Sequence, residues 1–259
     1  MRTLERWVAM CHSGVSTQTS PRSSMYRCIS LVLAVLLLVG CWSRHKHNEA
    51  ADTGPHAVTI EWLGHGCFRV TSSIGLTIIT DPFNPHTNKV ATVPADIVLI
   101  THEDDTSNYT DLVRGSPVIF RSSMAGGVNR ASGVLIRGTQ TSSENLAAAA
   151  AAKLNVAYTW VMDGIRFCDL GRIEDAVTPS EALNIGNVDV LFMPAGATQN
   201  FSEDKRRFTI ERLRPKIIVS TTGEWSSRQA NVVHIRGNRF TLTASQLPTT
   251  TTVYVPSIR

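Results

Sequence analysis

The stretch Ala95-Asp-Ile-Val-Leu-Ile-Thr-His102 decides the fold, because it joins a compact apolar run to a loop that begins with a histidine. Four apolar residues follow one another from Ile97 to Ile100, with no polar residue between them. Such a run is typical of a strand buried on both faces of a sheet. Val118-Ile-Phe120 predicts a second strand of the same kind. A sheet covered on both sides indicates a layered α/β protein.

Short runs of the same type continue on both sides of this stretch. Further strands are predicted at residues 58–62, 67–70, 76–80, 155–161, 165–168, 188–193 and 216–219. Helices are predicted at residues 144–153, 179–185 and 203–213. Pro179 stands where the first helical residue belongs, and Thr178 before it is a plausible cap. The alanine run 147–152 is interpreted as a helix segment or, alternatively, as low-complexity filler in a loop.

Composition limits the class of protein. The chain has 259 residues, 42% hydrophobic and 18% charged, which excludes disordered and fibrous classes. The net charge of +4 comes largely from the first 40 residues, which hold four basic side chains and one acidic one. The remainder is nearly neutral, so the sequence predicts no nucleic-acid partner.

An export signal precedes the folded part. Residues 29–39 form an apolar run too short to span a bilayer comfortably, and Arg22 and Arg27 precede it. Leu38-Val-Gly-Cys41 resembles a bacterial lipobox, which predicts cleavage before Cys41 and lipidation of that cysteine. Residues 1–40 are therefore interpreted as a lipoprotein signal peptide, with 1–24 a possible mis-called start before Met25. An uncleaved membrane helix with an incidental cysteine is the alternative.

Residues 41–54 are polar and predict a lipidated tether, followed by one domain at 55–259. The membrane is then a partner through the N-terminal lipid. Trp42, not aspartate, follows Cys41, and this favours the outer membrane, facing the periplasm, over the inner membrane. The expected location is the bacterial cell envelope.

Four segments, in order over residues 58–222, resemble the metallo-β-lactamase superfamily. Within it they are most similar to the L-ascorbate-6-phosphate lactonase-like metal-dependent hydrolases. The segments are residues 60–70 with 80–83, 95–102, 163–172 running into 177–179 and 185–196, and 213–219. The resemblance implies an α/β fold, a four-layer αβ/βα metallo-β-lactamase-like sandwich, with a site at one edge of the sheets.

The resemblance also implies two metal ions, zinc or manganese, held by a His-x-His-x-Asp-His loop and by later residues. Here the loop keeps His102 but has Asp104, Thr106 and Ser107 at the other ligand positions. Residues 134–143 contain no histidine. Arg172 stands where the family has a bridging aspartate, and Thr222 occupies the position of the family's last histidine ligand. The sequence therefore predicts a lost metal centre, with His102 and Asp104 as relics and no metal cofactor.

Several residues carry more than one interpretation. Arg172 either pairs with Asp104 across the former metal pocket or binds a carboxylate or phosphate ligand. His65 is either a structural turn residue or part of a binding site. The acidic residues 103–105 are interpreted by default as a solvated loop. Asp81 is interpreted as a turn residue, and Cys67 and Cys168 as buried thiols.

Two functions remain open. The leading hypothesis is a non-catalytic binding or scaffold module, whose partner is an unidentified protein or a small anionic ligand. The alternative is a hydrolase that uses one metal ion or none, with His102 as base and Asp104 or Asp175 nearby. An open cleft with a free His102 favours the enzyme, whereas a closed, salt-bridged cluster favours the scaffold.

Overall fold

A computed structural model describes residues 56–88, 90–123, 126–141, 154–194, 201–225 and 231–257. All of them belong to one compact unit, Gly54–Arg259. The predicted signal peptide, Cys41, the tether and the predicted helix at residues 144–153 lie outside the described residues. Within the described ranges, no helix has both the length and the apolar content needed to cross a bilayer.

The described chain forms short strands joined by turns and a few helices. The strands are β1 (Ala57–Gly64), β2 (Cys67–Thr71), β3 (Thr77–Thr80), β4 (Val93–Pro94), β5 (Ile97–Leu99), β6 (Val113–Arg114), β7 (Val118–Phe120), β8 (Gly127–Ala131), β9 (Val134–Gln140), β10 (Val156–Met162), β11 (Ile165–Asp169), β12 (Val190–Met193), β13 (Ile217–Ser220), β14 (Asn231–His234), β15 (Arg239–Thr243) and β16 (Thr252–Val255). The helices are α1 (Pro85–Asn88), α2 (Pro179–Ile185) and α3 (Glu203–Leu213). Single 3₁₀ turns occur at Thr110–Leu112 and Ala244–Gln246.

Two mixed sheets face each other. The first has the order β15-β1-β2-β3-β5-β7, and the second has the order β14-β16-β13-β12-β11-β10-β9-β8. Strands β3, β5 and β7 are parallel, as are β11, β12 and β13. The small sheet β4-β6 is separate. The carboxyl ends of these parallel strands are where the fold places side chains for a site.

The main core fills the space between the two sheets. The rings of Phe68 and Phe192, one from each sheet, have centroids 4.6 Å apart. Trp160 stacks on Phe167 at 5.3 Å. Alternate residues of β1, such as Val58, point into this core, because side chains alternate between the two faces of a strand. Aromatic packing of this kind joins the two sheets into one sandwich.

A layer covers each outer face. Helices α2 and α3 bury Ile185 and Leu213 against the second sheet, where Cys168 and Leu191 lie. A smaller cluster of Cys67, Ile79, Phe83 and Leu112 covers the outer face of the first sheet. The structure therefore has the predicted α/β four-layer sandwich.

The predicted start of α2 is confirmed in detail. The hydroxyl of Thr178 accepts the amide of Glu181, and the Glu181 carboxylate accepts the amide of Thr178. Pro179 occupies the first turn. This reciprocal arrangement satisfies two amides that a helix start leaves without partners.

One prediction about burial was wrong. Val118 and Ile119 of β7 are 45% and 40% exposed, although an apolar strand buried on both faces was expected. The reason is that β7 lies at the edge of the first sheet. By contrast, β5 is fully buried as predicted, because β3 and β7 flank it. Cys67 and Cys168 are free and buried, as predicted.

Candidate functional site

A cleft of about 570 Å³ opens where the carboxyl ends of the parallel strands meet. Both sheets contribute to its lining. The residues that follow or end strands there include Asp81, His102, Asp169, Arg172, Thr221 and Thr222. Trp62 of β1, together with His65 and Gly66 from the turn between β1 and β2, forms another part of the wall.

Asp81 ties the end of β3 to the end of β5. Its carboxylate accepts the amide of Thr101 at 2.8 Å and the hydroxyl of Thr101 at 2.6 Å. Its own amide donates to the Leu99 carbonyl. The interpretation of Asp81 as only a turn residue was therefore incomplete. Burial raises the pKa of this carboxyl, the charge of nearby Asp169 adds to the rise, and the Thr101 bonds oppose it.

His102 has neighbours at both ring nitrogens. Nδ1 lies 2.8 Å from the hydroxyl oxygen of Thr101, and Nε2 lies 3.3 Å from Oδ2 of Asp104. The tautomer of the imidazole decides which partner donates in the bond between Nδ1 and the Thr101 hydroxyl. Burial lowers the pKa of His102, so the ring is neutral at neutral pH.

Asp104 is saturated with donors. Oδ1 accepts the amide and hydroxyl of Thr106 at 2.8 and 2.7 Å and the hydroxyl of Ser107 at 3.1 Å. Oδ2 accepts from Nη1 of Arg172 at 2.7 Å. Burial acts to raise the pKa of Asp104, but the Thr106 bonds, His102 and Ser107 outweigh it and lower the pKa to about 2. The default interpretation of this residue as part of a solvated acidic loop was wrong.

The other two acidic residues of this loop differ from Asp104. Glu103 pairs with Nη1 of Arg121 at 2.8 Å. Asp105 is exposed, as expected for a solvated acidic side chain. The loop therefore has one solvated carboxylate and two that are held by neighbours.

Arg172 reaches the cleft from the second sheet. The Arg172 amide donates to Oδ1 of Asn155 at 2.9 Å, and the amide group of Asn155 donates to the Leu170 carbonyl and the Thr141 hydroxyl. Gly171 has a φ of +57°, which turns the chain away from β11. The Arg172 side chain is 64% exposed and pairs with Asp104, which agrees with the first of the two interpretations of this residue.

Asp169, the last residue of β11, was missed by the sequence analysis. It is 1% exposed. Its Oδ1 accepts the Gly171 amide at 2.9 Å, whereas its buried Oδ2 has no hydrogen-bond partner among the described residues. Burial raises the pKa of Asp169 to about 6, against the opposing effects of the Gly171 amide and the nearby Thr80 hydroxyl. The signal that could have found it is an acidic residue at the carboxyl end of an apolar strand, since such ends meet at one edge.

The structure separates one predicted site residue from the rest. Asp175 lies 2.6 Å from the amino group of Lys205 on α3, and it does not line the cleft. The hypothesis that placed Asp175 beside His102 was wrong, because the ion pair with α3 holds it elsewhere.

His65 fits both of its interpretations. It lines the cleft, and its ring packs edge-on against Phe83 at 5.1 Å between centroids. It has a φ of +50°, and its carbonyl accepts the indole N–H of Trp62 at 2.7 Å. The residue therefore has a structural role in the turn and a place in the cleft wall.

The donor set does not fit the two-metal centre that the resemblance implies. Both oxygens of Asp81 accept from Thr101, both oxygens of Asp104 are occupied, and Nδ1 of His102 is bonded to Thr101. Across the described ranges, no three His, Cys, Asp or Glu side chains are grouped so that they could hold a metal ion. Even a catalytic zinc site needs about three protein ligands.

Known structures share this fold. One is a hydrolase from Thermotoga maritima, described as Zn-dependent and of the metallo-β-lactamase superfamily. It is 24% identical, covers 78% of this chain and 100% of its own, and has a TM-score of 0.61. The metallo-β-lactamase fold protein YhfI from Bacillus subtilis is 10% identical, with a TM-score of 0.52, and covers 79% and 98% of the two chains. No curated protein matches the sequence significantly.

A family model described as the beta-lactamase superfamily domain matches residues 59–222. The matched range begins in β1 and ends just after β13, so it includes every strand whose carboxyl end lines the cleft. The chain is therefore a member of the beta-lactamase superfamily.

Proposed function

We propose that this protein is a lipid-anchored protein of the bacterial cell envelope whose superfamily domain binds a ligand in a cleft without a metal ion and without hydrolysis. The observation that carries the proposal is the ion pair between Arg172 and Asp104, 2.7 Å apart at the cleft. In it an internal guanidinium neutralises the carboxylate of the former metal loop.

The charge of Arg172 opposes a metal ion at this place. A guanidinium stays protonated under all ordinary conditions. At an effective dielectric constant of about 20, a single positive charge a few ångströms from a divalent ion repels it by several kcal/mol. A metal ion at Asp104 would also have to displace donors from Thr106 and Ser107. The proposal follows from this combination of repulsion and committed lone pairs.

One observation favours a second candidate, a metal-free hydrolase. His102 is neutral and belongs to the cleft wall, so its Nε2 could accept a proton from water. Against it, the ring is only 11% exposed, and Nε2 faces the Asp104 carboxylate at 3.3 Å. The binding role accounts for the paired, enclosed state of both residues and is preferred.

The lipid anchor rests on the lipobox-like sequence that ends at Cys41. With it go the proposed partner, a membrane, and the proposed location on the periplasmic side of the outer membrane. An unidentified protein, or a small anion at Arg172, remains a proposed partner of the domain. Replacement of Cys41 by Ser is expected to remove the protein from the membrane fraction, and retention there contradicts the anchor.

Metal content tests the main proposal. Full-length protein in detergent is incubated with Zn²⁺ or Mn²⁺, desalted and measured by elemental mass spectrometry. We expect well under one equivalent of metal. The comparison variant is Arg172→Asp, which removes the guanidinium and releases Asp104, and it should retain more metal. Arg130→Asp, which changes an exposed arginine on β8 in the same way, is the control. Stoichiometric metal in the unchanged protein, lost on His102→Ala, would overturn the proposal.

A further inference from the structure

The floor of the cleft holds two buried carboxyl groups, those of Asp81 and Asp169. Oδ2 of Asp169 is buried and has no hydrogen-bond partner among the described residues. Asp81 lies close enough for the two carboxyls to raise each other's energy when both are ionised. Arg172, which lines the cleft, is already paired with Asp104. A buried carboxyl oxygen without a donor is costly, and a ligand that supplies a donor removes that cost.

We propose that the cleft binds a small organic cation, a protonated amine, whose ammonium group donates to Asp169 while its hydrocarbon part contacts Trp62. The inference deepens the proposed function, because it names the ligand class of the same metal-free cleft. An ammonium ion carries only donors, and Asp169 offers only an acceptor.

A metal ion fits the floor of the cleft poorly. Each oxygen of Asp81 already accepts one hydrogen bond from Thr101. Asp169 is the carboxyl of the floor with an oxygen that accepts none, and two carboxylates alone fall short of the three protein ligands that a zinc site needs. An ammonium group needs no cage of ligands, because a single carboxylate can accept its N–H donors. The two carboxyls disfavour a small anion at Arg172, which is the alternative ligand of the same cleft.

Trp62 gives the cleft a fixed aromatic wall. Its indole N–H donates to the His65 carbonyl at 2.7 Å, which holds the ring in place. The ring packs so closely over Gly223 that a Cβ there would lie 2.7 Å from Cη2 of the indole. An immobile indole loses no side-chain entropy when a ligand arrives, and its face offers an apolar surface to the hydrocarbon part of the ligand. The hydroxyls of Thr221 and Thr222 line the same cleft.

Calorimetry with a matched pair of probes tests this proposal. n-Butylammonium chloride and sodium butyrate have the same chain length and opposite charge. Each is titrated into full-length protein in detergent, with the detergent alone as blank. We expect saturable binding of butylammonium and none of butyrate. Asp169→Asn should weaken butylammonium binding about tenfold or more, because the charged acceptor is lost. Asp175→Asn, a half-exposed carboxylate outside the cleft that pairs with Lys205, should leave it unchanged.

Each other outcome counts against the inference in a different way. Equal affinity in Asp169→Asn overturns it, as does the absence of butylammonium binding. Butyrate binding that disappears in Arg172→Gln overturns it in favour of an anionic ligand. None of these results affects the metal-free cleft, which fails only if the unchanged protein retains stoichiometric metal. The two proposals are therefore separable.

Discussion

The guanidinium of Arg172 lies 2.7 Å from the carboxylate of Asp104, and this contact joins the ends of two different sheets. Arg172 follows β11 of the second sheet, and Asp104 follows β5 of the first, 68 residues earlier. Because the guanidinium is 64% exposed, the pair contributes about 1 kcal/mol or less to stability. Its consequence is electrostatic: it places a permanent positive charge beside His102.

Arg172→Gln should raise the pKa of His102. The positive charge of Arg172 is one of the causes that lower this pKa, after burial, so its removal makes protonation of the ring easier. The imidazole signals of isotope-labelled protein, followed by NMR over a pH series, measure the effect. The free energy of unfolding should fall by about 1 kcal/mol at most.

The matched control for this variant is Arg130→Gln. Arg130 is an exposed arginine on β8 whose guanidinium donates to the Gly133 carbonyl. The Arg130→Gln variant removes the same charge from the protein at a position outside the cleft. An identical His102 titration curve in Arg172→Gln and Arg130→Gln would show that Arg172 does not act on the imidazole.

Gly171→Ala should be among the most destabilising single changes near the cleft. A Cβ at this position would lie 2.2 Å from Oγ1 of Thr101 and 2.8 Å from Oδ1 of Asn155, and φ is +57°. Both neighbours are buried and hydrogen-bonded, so neither can move without losing bonds. We expect a loss of about 3 kcal/mol or more in the free energy of unfolding.

Gly75→Ala separates the clash at Gly171 from backbone strain. Gly75 has a φ of +87°, but nothing lies within 4 Å of its virtual Cβ. This variant should cost only about 1 kcal/mol, the strain of a left-handed residue. Urea denaturation of both variants gives the comparison. Similar losses in the two would mean that the contact with Thr101 relaxes freely.

Patterns among neighbouring residues correctly predicted the strands and helix starts that depend on those neighbours alone. The apolar run of β5 and the Thr178 cap of α2 both follow from neighbours in the sequence. Strand β14 (Asn231–His234) was missed because all four of its residues are exposed, so it has no burial pattern to detect. The predicted burial of β7 was wrong, because the position of a strand in a sheet depends on the order of all the other strands.

In the candidate site too, some contacts were suggested by the sequence, and others depend on the three-dimensional arrangement of the strands. The contact between Arg172 and Asp104 was one of the two interpretations offered for Arg172, because the resemblance placed both residues at one site. Asp169 was missed, since its burial beside Asp81 depends on how the ends of β3 and β11 meet, and no sequence spacing encodes that. Asp175 was placed wrongly because Lys205 of α3 holds it outside the cleft.

Asp169→Asn should stabilise the protein at alkaline pH. The pKa of Asp169 is raised from 3.8 to about 6 by burial, so the folded protein binds this proton more tightly than the unfolded chain. Ionisation of Asp169 lowers the free energy of unfolding. This loss is absent below about pH 4 and complete above the pKa of Asp169 in the folded protein. The variant should therefore gain about 2–3 kcal/mol over the unchanged protein near pH 8, and the gain should vanish towards pH 4. Urea unfolding at several pH values measures it.

Asp189→Asn should show the opposite dependence. Burial acts to raise the pKa of Asp189, but bonds from Arg166 and Lys216 outweigh it and lower the pKa to about 2. Stability from Asp189 is present above the unfolded pKa and lost as the pH falls towards 2. This variant should be less stable near neutral pH, and the deficit should shrink in acid. A gain for Asp169→Asn that does not change with pH would contradict the burial argument.

Thr101→Val tests the link between Asp81 and His102. The Thr101 hydroxyl donates to Oδ2 of Asp81 at 2.6 Å and lies 2.8 Å from Nδ1 of His102. Valine keeps the shape of the side chain but leaves two buried polar atoms unpaired, which should cost about 1–3 kcal/mol. It should also raise the pKa of Asp81 further, because the hydroxyl bond is one of the causes that lower it. Thr101→Ser restores the hydroxyl and loses only a methyl group, so it should recover most of this stability. If serine and valine unfold at the same urea concentration, the hydroxyl contributes no more than the methyl group, and the hydrogen bonds are not the main link between the ends of β3 and β5.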